Sequence, residues 1–286
     1  MTRRTIAADV VSEGAALHAG ATVRMRLSPA PPETGIVFRR SDLSDAEIPA
    51  RYDRVSETRL GTVITGAAGA SVGVIEHLMA AIAGAEIDDL IVTLDGPEPP
   101  ILDGDALCYL DLIARAGVKE QVGGRQVTQV LKPVTVNAGD ASAALLPADR
   151  RIFDFEIAFA SPAIGVQRLT WDFSPAGFRR DIAPARTFGF VDELDALNMS
   201  GLARGASLDN TLAIQGDRVV NAGLMRFPDE FVRHKILDAL GDMALAGHPI
   251  VGRFEGRRSG HALNNALLKA LFAEPANYRS EVIDYR

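Results

Sequence analysis

The stretch Arg233-His234-Lys235-Ile236-Leu237-Asp238-Ala239-Leu240-Gly241-Asp242 carries a histidine and two carboxylates at i, i+4 and i+8. On a helix turning about 100° per residue, these three share one stripe spread over only about 80°. Two such groups one turn apart can hold a divalent metal, and a third can orient a ligand from behind. The stripe also fits a solvated face, because Ile236, Leu237, Leu240, Met243 and Ala244 form an apolar side roughly opposite. Phe231 and Leu245 weigh against that, since they fall among the polar groups, where another part of the protein would have to cover them. Periodicity leaves both readings open.

Other groups with chemical potential are few. Glu76-His77 opens a helical stretch, and His77 could supply a third ligand. Neither His-Glu-x-x-His nor its inverse occurs, because the position four before His77 is Gly73, so the ordinary zinc-peptidase motifs are absent. His261 lies in Ser259-Gly260-His261-Ala262-Leu263-Asn264-Asn265, a glycine-kinked entry to a helix, where capping is the plain alternative. His18, beside a turn, and His248, just after a helix end, read as structural.

Positioning these groups falls to a recurring order of elements. Alternating stretches at Thr22–Leu27 and Ile36–Arg39 predict strands, 75–83 a helix, 90–94 a buried strand and 106–116 a second helix. The second half repeats this order, with strands at 129–136, 143–146, 151–159 and 168–173. A long helix follows from about 228 to 246, then a strand at 250–254 and a helix at 263–272. No residue-level repeat accompanies it. Each half reads sheet, helix, strand, helix, which predicts an α+β fold of two similar layers with a boundary in the polar stretch Lys119–Arg125.

Composition narrows the class. The 286 residues suffice for about two domains. Thirty basic against thirty-seven acidic groups give a net charge of −7 with no Lys/Arg-rich run, which disfavours a nucleic-acid partner. Cys108 is the single cysteine, excluding an intrachain disulfide and a thiolate zinc cluster. The longest uncharged run, Leu60 to Ile75, contains four glycines and is too short to span a bilayer. These features predict a cytoplasmic protein without an integral membrane anchor, expected to act as a monomer.

Glu76-His77-Leu78, Pro100-Ile101-Leu102-Asp103-Gly104, Ala185-Arg186-Thr187-Phe188-Gly189-Phe190, Ser207-Leu208-Asp209-Asn210, the segment from Arg226 to Asp242 and Ser259 to Asn265 occur in one order. This series resembles the UDP-3-O-acyl-N-acetylglucosamine deacetylases, zinc amidases that commit substrate to lipid A synthesis. The resemblance covers nearly the whole chain. It implies two α+β domains, 1–122 and 126–286, with helices meeting at their interface. A small βαβ insert at about 188–220 in the second would form an apolar passage for the acyl chain.

Carried over residue by residue, the zinc ligands would be His77, His234 and Asp238, with iron(II) an alternative occupant of such a mixed N/O site. Glu76 would be the general base, His261 the cation near the oxyanion and Asp242 its partner. Thr187 would help bind the oxyanion, Phe188 would pack on the sugar, and Lys235 would contact the polar part of an acylated UDP-sugar. Leu212 and Ile214 are expected beside the acyl chain. Two positions depart from the family: Gly73 replaces a frequent serine, and Leu146 stands where some members carry a diphosphate-contacting lysine. Two other classes stay in view. A metal-dependent phosphohydrolase would want a second metal and more carboxylates, and a non-catalytic nucleotide-sugar binder would have lost Glu76 or a ligand.

Overall fold

The computed structural model describes residues 2–283, so residue 1 and residues 284–286, the outer ends of the two expected domains, lie outside the described residues. The first half runs β1 (Thr2–Ile6), β2 (Val10–Ala15), β3 (Thr22–Pro29), β4 (Ile36–Arg40), β5 (Ala46–Pro49), β6 (Val55–Glu57), β7 (Val63–Thr65) and β8 (Ser71–Val72). It continues through α1 (Glu76–Gly84), β9 (Leu90–Leu94) and α2 (Leu107–Ala116). The second runs β10 (Val118–Val130), β11 (Val134–Ala138), β12 (Ala141–Leu146), β13 (Arg151–Ala158), β14 (Val166–Asp172), a helical turn α3 (Pro175–Gly177), β15 (Phe188–Phe190), α4 (Val191–Met199), β16 (Leu212–Gln215) and β17 (Arg218–Val219). After these come α5 (Glu230–Ala244), β18 (Ile250–Arg257), α6 (His261–Ala273) and β19 (Tyr278–Ile283). The class is α+β.

Sequence pattern explains the sheets. Strand β3 buries Val23, Met25 and Leu27 and exposes Thr22, Arg24 and Arg26, the period-two alternation of a sheet with one face on a core. One sheet has the order β2-β3-β9-β4-β5, the other β1-β10-β18-β12-β11 with β13 and β14 branching from β18 and β19 from β10. Most pairings are antiparallel, but β4 with β9, β13 with β18, β10 with β18 and β15 with β16 are parallel, the first two spanning the helices of interest. A parallel pair needs a long crossover. The first crossover contains α1 and the second contains α5, so the helices with the candidate residues occupy equivalent places in the two halves.

These two helices pack on each other. Leu78 and Ile82 of α1 and Leu237 and Leu240 of α5 are fully buried, each worth about 1.5–3 kcal/mol by removal from water. The polar stripe of α5 is buried as well: His234, Asp238 and Asp242 are each no more than 4 % exposed. The solvated-face reading is therefore overturned, and Phe231 and Leu245 sit on that stripe because it is covered. Contact is closest at Gly241, where an added Cβ would lie 2.0 Å from the backbone oxygen of Glu76. Lack of a side chain at this position lets the two backbones touch beside the residues that matter.

Residues 119–125, where the domain boundary is expected, belong to β10, whose first part pairs with β1 and whose second part pairs with β18 and β19. Lys119 and Glu120 satisfy their backbone groups in the ladder while their side chains face water, whereas Arg125 is buried against Glu86 and Asp88, so polarity there does not mark a loop. The strand expected at 129–136 is broken between Val130 and Val134, where Pro133 has no N–H to give a ladder.

Gly241→Ala tests the helix contact. Alanine alone would favour the helix by about 1 kcal/mol, but the clash with Glu76 should outweigh this and destabilise the protein by about 1–3 kcal/mol. Denaturant unfolding of the variant should show that loss.

Candidate metal centre and catalytic cavity

Helix α1 begins with Glu76 and His77, and α5 brings His234, Asp238 and Asp242 against them. The His77 and His234 rings stand 4.9 Å apart at 85°. His234 Nε2 lies 3.4 Å and His77 Nε2 3.7 Å from Asp238 Oδ1. One ligand atom from each of these three residues falls within 4.8 Å of the others.

Hydrogen bonding fixes what this cluster can hold. His234 Nδ1 is 3.1 Å from the Ala185 carbonyl oxygen, which can only accept, so Nδ1 carries the proton. Burial holds the His234 imidazole below its usual range against the pull of Asp238. The ring is then neutral, and its Nε2 lone pair faces a carboxylate oxygen. Burial, together with neighbouring His234, pulls His77 down to about 3, so it is neutral too, and its Nδ1 has no hydrogen-bond partner. Burial would raise the Asp238 carboxyl, but Lys235, with the charged His261 beyond, overcomes this and holds it well below the carboxylate range. The Nε2 lone pair of His234 and the Asp238 carboxylate, converging without a proton between them, repel unless a cation joins them, and His77 Nε2 lies beside the same oxygen. That donor set suits a divalent metal of borderline softness.

Lys235 donates to Asp238 Oδ2 at 2.5 Å, leaving Oδ1 for the histidine side. Glu76 is 4 % exposed, and burial pushes its carboxyl up to about 7 against the opposing pull of His261. Asp242 accepts from His261 Nδ1 at 2.8 Å. Burial would lower His261, but the charge and hydrogen bond of Asp242, with Glu76 and Asp238 beyond, hold it up at about 9. The cavity over these groups, about 520 Å³, is also lined by Thr187, Phe188, Lys235 and Leu60.

A second cavity of about 570 Å³ shares Leu17, Leu60, Thr187 and Phe188 with the first. Its apolar wall includes Phe190, Val191, Leu194, Leu197, Ala213 and Val220. The wall is the expected βαβ insert, with β15 parallel to β16 and α4 between. Leu212 and Ile214, expected beside the acyl chain, do not line it. Both are fully buried in the core, and the alternating residues Thr211, Ala213 and Gln215 face the cavity. On a strand, a shift of one residue changes the face. Phe188 stands edge-on to Phe231 at 5.0 Å and to Phe159 at 5.6 Å. His18 bridges the halves, with Nε2 3.0 Å from the Leu60 carbonyl and Nδ1 accepting from the Ala203 amide.

Several side chains brought into the site were not singled out from sequence. Thr62 Oγ1 donates to Asp242 Oδ1 at 2.6 Å and Asn264 Nδ2 donates to Asp242 Oδ2 at 2.8 Å. Asn264 stands three residues after His261 and so shares its helix face, a signal that was available. Glu230 supports the start of α5 by accepting from the amides of Arg186, Arg226 and Phe227. Arg226 joins Asp103 and Asp105 to the Pro184 carbonyl. The other clustered ligand set, Asp103, Asp105 and Cys108, is thus bridged by a guanidinium.

The family model described as UDP-3-O-acyl N-acetylglycosamine deacetylase matches residues 3–273. A UDP-3-O-acyl-N-acetylglucosamine deacetylase of Phenylobacterium zucineum is 47% identical over 281 residues, 98% of this chain and 96% of that protein. Proteins of the same name from Shewanella frigidimarina and Myxococcus xanthus are 45% and 44% identical. They cover 95% and 96% of this chain and 90% and 88% of their own lengths.

The lone-pair geometry predicts about one tightly held divalent ion per chain by elemental analysis. His77→Ala and His234→Ala should each lower that content sharply, while Asp242→Ala, whose carboxylate faces Thr62, His261 and Asn264, should leave it near wild type. Equal metal content in all three variants would count against the ligand set.

Proposed function

We propose that this chain, which belongs to the UDP-3-O-acyl-N-acetylglucosamine deacetylase family, removes the N-acetyl group of a UDP-3-O-(3-hydroxyacyl)-N-acetylglucosamine by zinc-dependent hydrolysis. Acetate is the other product, and in the cytoplasm this reaction would commit the sugar to lipid A synthesis. One observation supports the reading above the rest. The convergent donors of His77, His234 and Asp238 line one cavity with a buried carboxylate, Glu76, and a half-buried imidazolium, His261, and that cavity adjoins an apolar one.

An amide is a poor electrophile with a poor leaving group, so water must be activated, the oxyanion stabilised and the amine protonated. His77, His234 and Asp238 would hold the zinc, which would supply Lewis acidity and lower the pKa of a water. Glu76 accepts the water's proton on Oε1, because Oε2 is already engaged by the Thr62 amide at 2.9 Å. A carboxyl raised to about 7 can take this proton at neutral pH and release it afterwards. His261, charged at neutral pH, faces the developing oxyanion and provides the proton for the leaving amine. A donor in that place contributes about 3 kcal/mol. Thr187, at the junction of the two cavities, would lie beside the same oxygen.

Substrate shape matches the cavities. Phe188, fixed edge-on by Phe159 and Phe231, would pack on the sugar. Lys235 and Arg59 line the catalytic cavity and would meet the diphosphate, although Lys235 shares its charge with Asp238. The acyl chain would lie along Ala213, Leu194 and Leu197. Each buried CH₂ contributes about 0.8 kcal/mol, so kcat/KM should climb steeply with acyl length until the cavity is filled. Equal values for a short-chain and a long-chain substrate would remove the acyl assignment. No helix among the described residues is long and apolar enough to cross a membrane, and this substrate would need none, being kept in water by its nucleotide.

Proton bookkeeping yields a signed expectation. Folding and Asp242 raise His261 to about 9, so the imidazolium is present below that pH and lost as pH rises through it. The basic limb of kcat should fall there. Asp242→Asn removes the charge that outweighs burial, so this limb should move to lower pH and kcat should drop with metal still bound. A limb unmoved in Asp242→Asn would assign the proton to another group.

A further inference from the structure

The turn Leu60-Gly61-Thr62 leads into β7 and lies against both proton-handling groups. Glu76 on α1 and Asp242 on α5 are acceptor-only carboxylates, buried close enough for Asp242 to raise the Glu76 carboxyl. Thr62 supplies a donor to each. Its amide reaches Glu76 Oε2 at 2.9 Å, and its hydroxyl reaches Asp242 Oδ1 at 2.6 Å. The other Asp242 oxygen holds His261 Nδ1. Thr62 is 1 % exposed, so these bonds do not compete with bulk water. Just before it, Gly61 has φ +139°, and an added Cβ would stand 3.0 Å from Glu76 Oε1, the oxygen left for the reacting proton.

We propose that Thr62 is a positioning residue for the reaction: one residue spaces the proton acceptor Glu76 from the proton donor His261 and, through Asp242, sets how firmly His261 keeps its proton. The roles of Glu76 and His261 rest on the deacetylase reading; the hydrogen-bond chain does not. Its chemistry is specific to a hydroxyl. A carboxylate that accepts from Thr62 has part of its charge neutralised and attracts the imidazolium less than it otherwise would. Valine has the same shape and branching, keeps the amide bond to Glu76, and removes only the hydroxyl. His261 also faces Glu76 and His77 of α1 and Lys235 and Asp238 of α5, none of which the substitution touches. Loss of the donor therefore makes Asp242 a stronger partner and His261 a weaker acid, the opposite sense to Asp242→Asn.

The test uses the full-length, metal-loaded protein as wild type, Thr62→Val and Thr62→Ser. Thr62→Val should lose about tenfold in kcat with KM within about twofold, the scale of one hydrogen bond to a charged group. Metal content should hold, and the His261 ring titration followed by NMR should shift to higher pH. Thr62→Ser, which restores the hydroxyl, should return both readouts to near wild type. An unchanged His261 midpoint in Thr62→Val overturns the proposal, as does a serine variant as impaired as the valine one, since that points to packing. A wild type that titrates as described but fails to deacetylate the acylated UDP-sugar removes the deacetylase reading instead, and the midpoint then decides the Thr62 chain alone.

Discussion

Charge kept out of water is the constraint on which this molecule depends. Glu76, His77, His234, Asp238 and Asp242 are each no more than 4 % exposed at one helix contact. An isolated ion there would cost several kcal/mol. Each carboxylate is therefore acceptable only because others answer it: Lys235 on one Asp238 oxygen, the Thr62 amide on Glu76, and Thr62, Asn264 and His261 around Asp242. The protonation states of Glu76 and His261 follow from the same set of partners. Burial raises Glu76, whereas Asp242 more than offsets the burial of His261. One desolvated cluster thus yields a base and an acid side by side.

The rest of the fold keeps that cluster aligned. Equivalent parallel crossovers deliver α1 and α5, and Gly241 lets their backbones meet. Many characteristic residues of the chain do no chemistry. Glu230 ties three amides at the foot of α5, Arg226 joins the loop of Asp103 and Asp105 to Pro184, and Arg186 donates to the Asp209 carbonyl. They hold the Thr187 strand, the start of α5 and the insert in one frame. A shift of about 1 Å in such a frame is enough to spoil proton transfer.

Legibility in the sequence followed the range of the interactions. Helix stripes are local, so His234, Asp238 and Asp242 could be placed on one face, and Phe231 and Leu245 indicated that this face is covered. Pairing His77 with them, or His261 with Asp242, required family resemblance, because these contacts join distant elements. Thr62 left no local trace, lying 180 positions from the carboxylate its hydroxyl serves. Strand faces were lost where both sides are covered. In β16, Leu212 and Ile214 look like cavity residues, yet small Ala213 leaves the space and the large residues fill the core. Polar composition around 119–125 hid a continuous strand, β10, because a strand can satisfy its backbone while Lys119 and Glu120 face water.

Strand β1 pairs with residues 118–124 of β10 and belongs to the larger sheet, whereas the strands immediately after it build the smaller one. The order in which the ribosome releases the chain is therefore far from the order in which its parts can settle. His77 emerges about 190 residues ahead of Asn264, an interval of roughly 10–40 s at about 5–20 residues per second. For most of it α1 lacks α5, which covers its charges, and β1 is without its neighbour until residues 118–124 emerge. Such long-range closure makes folding slow. It also means that a truncated nascent chain has neither a complete ion-binding pocket nor a hydrolytic one, so premature activity is prevented by topology alone.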